Sequence, residues 1–194
     1  MKTSLRILIA EDEYLCLVGL VSNVKKLGHE VIGTASNGKE AVKIAIDSKP
    51  DMIITDINMP VMNGIDAIKE IQKQIPIPSI LVSGYHDEEL IDKAAKEWIY
   101  SYLIKPINIW DIAAAIKVSM GKFYEIKEIK TKLDNTERSL KERKYIEKAK
   151  GILMDRNKLC ESDAMEKLQK MSKNNNKKMI VVAKEIIKAN EILG

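Results

Sequence analysis

Polar and charged side chains follow several short apolar runs in the first part of this 194-residue sequence. Glu11 and Asp12 follow the first run, Asp56 ends another, and Ser83 and Lys105 end two later ones. Three carboxylates held close together repel one another unless a cation lies between them, and oxygen ligands with room for water suit Mg2+. A hydroxyl and an ammonium group beside them can stabilise a phosphoryl group carried on Asp56.

Two other interpretations of these residues stay open at this point. Asp56 could be an ordinary aspartate at the end of a strand, where its side chain caps the following helix. A nucleotide site is favoured less, because no glycine-rich phosphate loop follows the first apolar run.

The apolar runs have the length and content of buried parallel strands, and helical patterns lie between them. Because ligands bind at the carboxyl ends of parallel strands, such a fold would bring the polar side chains to one edge. Five strand–helix units indicate a doubly wound α/β fold with a parallel sheet. The predicted strands are Leu5–Ala10, Glu30–Ala35, Met52–Asp56, Ser79–Ser83 and Ser101–Ile104, and the predicted helices are Tyr14–Leu27, Asn37–Ser48, Gly64–Gln74, Glu88–Glu97 and Asp111–Met120.

Residues 1–120 resemble the receiver domain of two-component response regulators. The resemblance lies in Glu11-Asp12, Asp56-Ile57-Asn58-Met59-Pro60, Ser83 and Tyr102-Leu103-Ile104-Lys105-Pro106, all in order. It implies a flavodoxin-like fold with strand order 2-1-3-4-5 and a phosphoacceptor, Asp56, that a sensor histidine kinase serves. It also implies a Mg2+ site and a set of switch residues. The Mg2+ ligands would be Glu11, Asp12, Asp56 and the backbone carbonyl of Asn58, and the phosphoryl-contacting or switch residues would be Ser83, Tyr102 and Lys105.

Two aromatic residues leave alternatives open within this resemblance. Tyr102 could be a core aromatic instead of a switch residue. Trp98 lies before the fifth strand, where receiver domains usually have a small residue or glycine. It could belong to a dimer face, since aromatic residues are enriched at interface cores, or it could pack on the fourth helix.

Charge divides the chain into two parts. Residues 1–120 carry 13 Lys and Arg against 16 Asp and Glu, whereas residues 121–194 carry 19 against 12. A basic second part is a candidate for binding a polyanion, although a lysine-rich solvated surface has the same composition. The sequence has two cysteines without metal-ligand spacing, no signal-peptide core and no apolar run that approaches about 20 residues. These features predict a soluble, cytoplasmic protein with no membrane partner.

Residues 121–141 are predicted to form a helical linker with a short coiled-coil seam. Ile126, Leu133 and Leu140 recur every seven residues, and Ile129 and Thr136 lie three residues further on. Such a seam predicts a homodimer, which phosphorylation would favour. The alternative is a helix that packs on its own chain.

Residues 142–194 are predicted to form three helices, at Tyr145–Arg156, Glu161–Ser172 and Lys177–Asn190. This part resembles the ANTAR domain, the RNA-binding output module of antitermination regulators. The matching residues are Ile146 to Met154, Ala164, Leu168, Asn176-Lys177-Lys178 and Val182-Ala183. Lys158 departs from a glycine that usually ends the first helix, and Cys160 departs from the Ser or Thr that would cap the second.

The ANTAR resemblance implies contacts with RNA stem-loops. Basic side chains can contact phosphates, while asparagines and close backbone approach at a glycine can contact unpaired bases. The candidates are Arg143, Lys144, Lys148, Lys150, Gly151, Asn174, Asn176, Lys177 and Lys178.

The whole sequence therefore predicts a phosphorylation-activated antiterminator that binds stem-loops in nascent transcripts. It would be a signalling protein rather than an enzyme, and the ethanolamine-utilisation regulators are one subgroup that it resembles. A DNA-binding transcription factor and a protein-docking adaptor are the two alternatives.

Overall fold

A computed structural model of the chain describes residues 4–84 and 99–193. It divides into two compact units, Met1–Lys127 and Glu128–Gly194. The predicted helix Glu88–Glu97 and both interpretations of Trp98 lie outside the described residues.

The first unit contains a parallel five-stranded sheet in the order β2-β1-β3-β4-β5, with helices between strands. The predicted flavodoxin-like strand order is therefore confirmed. The strands are β1 (Arg6–Ala10), β2 (Glu30–Ala35), β3 (Met52–Asp56), β4 (Ser79–Ser83) and β5 (Ile99–Ile104), and the helices between them are α1 (Tyr14–Lys26), α2 (Gly38–Ser48) and α3 (Gly64–Gln72).

Apolar side chains cover both faces of the sheet. Ile7 and Ile9 pack with residues of α1 and of a later helix, α4 (Ile109–Asn157), whereas Leu8 packs with α2 and α3. Every residue of β3 and β4 is buried, as expected for central strands with helices on both faces. Burial of each large aliphatic side chain contributes about 1.5–3 kcal/mol, so these strands hold the sheet edge in place.

Side chains cap the helices that follow β2 and β3. Asn37 Oδ1 accepts a hydrogen bond from the Glu40 N–H at 2.9 Å, and Glu40 Oε2 accepts one from the Ser36 N–H at 2.9 Å. Asn37 therefore caps α2, while Glu40 bonds the backbone of Ser36, the residue before the cap. Asn63 Oδ1 accepts a bond from the Asp66 N–H at 2.8 Å and so caps α3. Asp56 is therefore not the cap of that helix, and this alternative is wrong.

Helix α4 is longer than predicted, because it is continuous over 49 residues. The predicted helices Asp111–Met120 and Tyr145–Arg156 and the predicted helical linker between them form this one continuous helix. Gly121 and Gly151 are the only glycines of α4, which contains no proline. A single glycine costs a helix about 1 kcal/mol, too little to end it. The predicted domain limits at residues 120 and 141 stay predictions.

The second unit packs two further helices, α5 (Glu161–Asn174) and α6 (Met179–Leu193), against the end of α4. Its buried side chains form two adjoining clusters, Leu153 with Ala164, Leu168 and Val182, and Ala149 with Ala183 and Ile187. The predicted three-helix output domain is thus confirmed. None of the helices within the described ranges has the length and apolarity that a membrane crossing requires.

Residues with positive φ end two of these helices. Lys158 has φ 51°, and the next N–H, of Leu159, donates to the Met154 carbonyl at 3.2 Å. Asn176 has φ 49°, and the next N–H, of Lys177, donates to the Ser172 carbonyl at 3.0 Å. Both are Schellman-type ends, in which glycine is usual. Asn176 therefore ends α5, and α6 begins two residues later than predicted.

Candidate functional site

Three carboxylates meet at the carboxyl end of the sheet. One oxygen from each of Glu11, Asp12 and Asp56 lies within 4.8 Å of the others. Glu11 follows β1, and Asp56 is the last residue of β3, which pairs with β1. Glu11 and Asp56 are buried, whereas Asp12 is exposed. The cluster is therefore open to solvent on the side of Asp12.

Lys105 joins two of these carboxylates. Its Nζ donates to Asp56 Oδ2 at 2.8 Å and to Glu11 Oε1 at 3.0 Å. Burial by itself would lower the pKa of Lys105, but the hydrogen bonds to Asp56 and Glu11 outweigh burial and raise the pKa. Lys105 is therefore an ammonium at neutral pH, and it offsets part of the repulsion between the carboxylates.

Glu11 is not fully satisfied by this lysine. Burial raises the pKa of Glu11, the Lys105 hydrogen bond lowers it in part, and the charge of Asp56 raises it further. Glu11 Oε2 is buried and lies 2.9 Å from Lys105 Nζ, but without the geometry of a hydrogen bond. The cluster can therefore accept a further cation.

The donor set fits Mg2+. Mg2+ binds oxygen at about 2.0–2.1 Å in an octahedron and keeps several waters, so adjacent ligand oxygens lie about 2.9 Å apart and opposed ones about 4 Å apart. The three carboxylate oxygens, which lie within 4.8 Å of one another, would therefore move closer together around the ion. Their assignment as Mg2+ ligands stays a prediction, as does that of the Asn58 carbonyl. The Asn58 N–H donates to Asp56 Oδ1 at 3.3 Å.

Ser83 and Tyr102 occupy different environments near this edge. Ser83 follows Val82, the partner of Asp56 in the sheet register, and its buried hydroxyl has no hydrogen-bond partner among the described residues. Tyr102 pairs with Leu81, two residues before Ser83 along the strand, and its side chain is 53% exposed. Tyr102 is therefore not a core aromatic, and its role as a switch residue stays a prediction.

Gly64 supports the site in a way that the sequence did not reveal. A Cβ at this position would overlap the carbonyl oxygen of Asp56 and lie 2.8 Å from Thr55 Oγ1. The Gly64 N–H donates to the carbonyl of Ile57 at 2.9 Å. The close approach depends on how α3 packs against the end of β3, which the local sequence does not show.

Three of the predicted RNA-contacting lysines bond to carboxylates of their own chain. Lys150 Nζ lies 2.6 Å from Glu147 and 2.7 Å from Glu161, which links α4 to α5, and the Lys150 side chain is only 11% exposed. The other pairs are Lys177 with Glu185 at 2.6 Å and Lys148 with Glu191 at 3.4 Å. RNA phosphates would have to displace these carboxylates.

The other candidates for RNA contact differ in setting. Arg143, Lys144 and Lys178 are exposed. Gly151 is half-buried within α4, with open space where a Cβ would lie. Asn174 and Asn176 lie at the end of α5 and are exposed.

The residues of the predicted seam are exposed along α4. Ile126, Ile129, Leu133 and Leu140 are 42–58% exposed. These side chains are therefore not packed on their own chain as the alternative required, and the homodimer stays a prediction.

Comparisons with known proteins match both parts of the chain. The family model of the response regulator receiver domain matches residues 7–117, and that of the ANTAR domain matches residues 134–187. The transcriptional regulatory protein PdtaR of Mycobacterium tuberculosis is 33% identical over 189 residues, which cover 97% of this chain and 91% of PdtaR.

Two further relatives match the first part. The chemotaxis protein CheY of Thermotoga maritima is 40% identical over 116 residues, covering 59% of this chain and 97% of CheY. The crystal structure of a receiver domain protein from Clostridium thermocellum has a TM-score of 0.58 and 31% identity, covering 62% of this chain and 98% of that chain. The similarity to PdtaR extends through both units of the chain.

Proposed function

This chain belongs to the response regulators that join a receiver domain to an ANTAR domain, and we propose that it is a phosphorylation-activated antiterminator. A sensor histidine kinase phosphorylates Asp56, and the phosphorylated chain forms a homodimer. The two ANTAR domains then bind stem-loops in a nascent transcript and prevent the terminator hairpin from forming. The ethanolamine-utilisation subgroup stays a sequence-based prediction.

The proposed phosphotransfer uses the side chains at the sheet edge. An Asp56 carboxylate oxygen attacks the phosphorus of the kinase phosphohistidine, and the phosphorus–nitrogen bond breaks with its electron pair passing to the imidazole. Lys105 already donates to Asp56 at 2.8 Å and can move to a phosphoryl oxygen. The Ser83 hydroxyl can donate to another phosphoryl oxygen, and Tyr102 acts as the switch aromatic.

The proposed metal ligands are Glu11, Asp12, Asp56 and the carbonyl of Asn58. Mg2+, when bound, supplies positive charge that offsets the charge of the carboxylates and the phosphoryl oxygens. Glu11 would keep its carboxylate ionised beside that charge, although burial raises its pKa.

One observation carries the proposal. Glu11, Asp12 and Asp56 form an acidic cluster in a chain whose second part is an ANTAR domain, and Lys105 donates to Glu11 and Asp56. The cluster supports phosphorylation as the input, and the ANTAR domain supports RNA as the output.

A transcription assay tests the proposal. Templates carry the leader regions of genes adjacent to the gene for this chain, each with its terminator, and readthrough is measured with Mg2+ in the presence and absence of beryllofluoride, which mimics the phosphoryl group. We expect readthrough to rise with beryllofluoride on at least one leader, and not with Asp56→Asn. The same leaders are compared as hairpin RNA and as duplex DNA for binding. Tighter binding to the duplex, or no readthrough on any leader, would contradict the proposal.

A further inference from the structure

A groove in the second unit contains several basic side chains. It lies between α4 and the beginning of α6 and has a volume of about 740 Å3. Arg138 and Lys141 on α4, Lys178 directly before α6 and Lys184 within α6 line it. The three lysines have no ion-pair partner among the residues that the structure describes, in contrast to Lys150, which is held between two glutamates.

Acidic side chains also line the groove, but on one side only. Asp134, Glu137 and Glu142 all belong to α4, and Glu142 lies 4.0 Å from Arg138. The α6 side of the groove therefore carries Lys178 and Lys184 with no acidic lining residue. A phosphate would be attracted to that side and repelled from the acidic part of α4.

Tyr145 lies in the same groove. Its side chain is 42% exposed, and the Lys184 ammonium lies 5.1 Å from the centre of its ring. Tyr145 is the only aromatic residue between positions 125 and 194. Cation–π contacts at exposed sites are weak, so a nucleic-acid base can take the place of the ammonium on the ring.

An aromatic ring beside lysines that have no ion-pair partner among the described residues offers the two kinds of contact that unpaired RNA makes. Bases in single-stranded loops stack on aromatic side chains, and neighbouring phosphates bind lysine. We propose that a loop base of the RNA stacks on Tyr145 while Lys178 and Lys184 contact the adjacent phosphates. This inference rests on the proposed RNA-binding function and identifies the site within the same domain. Lys184 was not among the candidates that the sequence indicated.

The test measures binding of the full chain, with Mg2+ and beryllofluoride, to the tightest-binding leader hairpin over a range of salt concentrations. Tyr145→Leu removes the ring and should weaken binding about tenfold or more without changing the salt slope, since no phosphate contact is lost. Tyr145→Phe keeps the ring and should bind within about twofold of the parent. Lys184→Ala and Lys178→Ala should each weaken binding and flatten the slope by about one unit.

The control variant is Lys170→Ala, which removes an exposed lysine of α5 that is paired with Glu166 and does not line the groove. It should change neither affinity nor slope. If Tyr145→Leu binds as tightly as the parent, or if Tyr145→Phe loses as much affinity as Tyr145→Leu, the stacking site is wrong while the RNA-binding function stands. If the parent binds no hairpin at all, both proposals fail.

A second measurement retains an aromatic ring at position 145, so its result does not depend on whether Tyr145→Leu folds correctly. Tyrosines are replaced by 3-fluorotyrosine, and the Tyr145 signal in the 19F NMR spectrum is assigned by its loss in Tyr145→Phe. The hairpin should shift this signal and leave that of Tyr14, on α1 of the first unit, unchanged. An unshifted Tyr145 signal at saturating hairpin would overturn the inference.

Discussion

At the scale of single residues, the contacts of Asp56 and Lys105 are the basis of the proposed phosphotransfer at the sheet edge. Lys105 holds one oxygen of Asp56 at 2.8 Å, while the Asn58 N–H bonds the other at 3.3 Å. These two bonds hold the Asp56 carboxylate at the sheet edge, where the proposed phosphotransfer would take place.

We predict that Asp56→Asn abolishes phosphorylation from a small phosphodonor such as acetyl phosphate in the presence of Mg2+. An amide lacks the anionic oxygen that attacks phosphorus. Acid-labile phosphate is measured by intact mass and radiolabel. Asp47→Asn, an exposed aspartate on α2, serves as the control and should label like the parent. Equal labelling of the parent and Asp56→Asn would show that the phosphoacceptor lies elsewhere.

We also predict that Gly64→Ala lowers the free energy of unfolding by about 1–3 kcal/mol or more, because its methyl group would overlap the Asp56 carbonyl oxygen. The matched control is Gly19→Ala within α1, where the added methyl group would have no neighbour within 4 Å outside the backbone of its own helix. This control should stabilise the chain by about 0.5–1 kcal/mol. Urea unfolding followed by circular dichroism measures both, and equal stability of the two variants would refute the close-approach explanation.

The sequence predicts the positions and roles of these residues only where the contacts that define them are local in the chain. Glu11, Asp56 and Lys105 could be placed at one edge because each follows a recognisable strand, and parallel strands share that edge. The role of Lys150 could not be predicted, because its bond to Glu161 exists only once α5 packs on α4. The same holds for Gly64, whose importance comes from a carbonyl eight residues earlier.

At the scale of elements, strands were easier to predict than helix ends. The predicted β3 and β4 match the structure, and α1 ends before Gly28, which has φ 82°. The change of composition at Gly121 suggested a boundary where the helix in fact continues. A change in charge composition indicates that two surfaces differ in their binding partners. Whether a helix continues depends instead on the helix propensities of its residues, and one glycine lowers these too little to end the helix.

The end of α4 provides a prediction at this scale. Lys158 has φ 51°, a conformation that costs an L-residue about 1–2 kcal/mol and glycine almost nothing. Lys158→Gly should therefore stabilise the second unit by about 0.5–1 kcal/mol, since greater flexibility of glycine in the unfolded chain removes part of the gain. This corresponds to a rise of a few degrees in the thermal midpoint.

The control for this variant is Lys167→Gly, within α5, where the same substitution should destabilise by about 1 kcal/mol. Thermal unfolding of the full chain, followed by circular dichroism at the helical band, measures both. A lower midpoint for Lys158→Gly would mean that the lysine side chain stabilises the helix end through its own contacts.

At the scale of the whole molecule, an acidic receiver domain and a basic output domain share α4. Four apolar side chains of this helix are 42–58% exposed at coiled-coil spacing. Burial of one leucine contributes about 1.5–3 kcal/mol, while association costs at least about 4 kcal/mol of lost freedom. If the proposed homodimer uses this seam, its stability would be modest, and a small additional contribution from phosphorylation would shift the balance.

We therefore predict that beryllofluoride with Mg2+ converts the chain from a lighter to a heavier species in sedimentation velocity. Leu133→Ala should weaken the heavier species by more than about tenfold, because each factor of ten corresponds to about 1.4 kcal/mol and each chain loses a buried leucine side chain. Thr131→Ala changes an exposed position of α4 outside the seam and should leave the equilibrium unchanged. If the parent sediments as the same monomer with and without beryllofluoride, phosphorylation does not act through dimerisation. If Leu133→Ala still forms the heavier species as the parent does, the dimer uses a different surface from this seam.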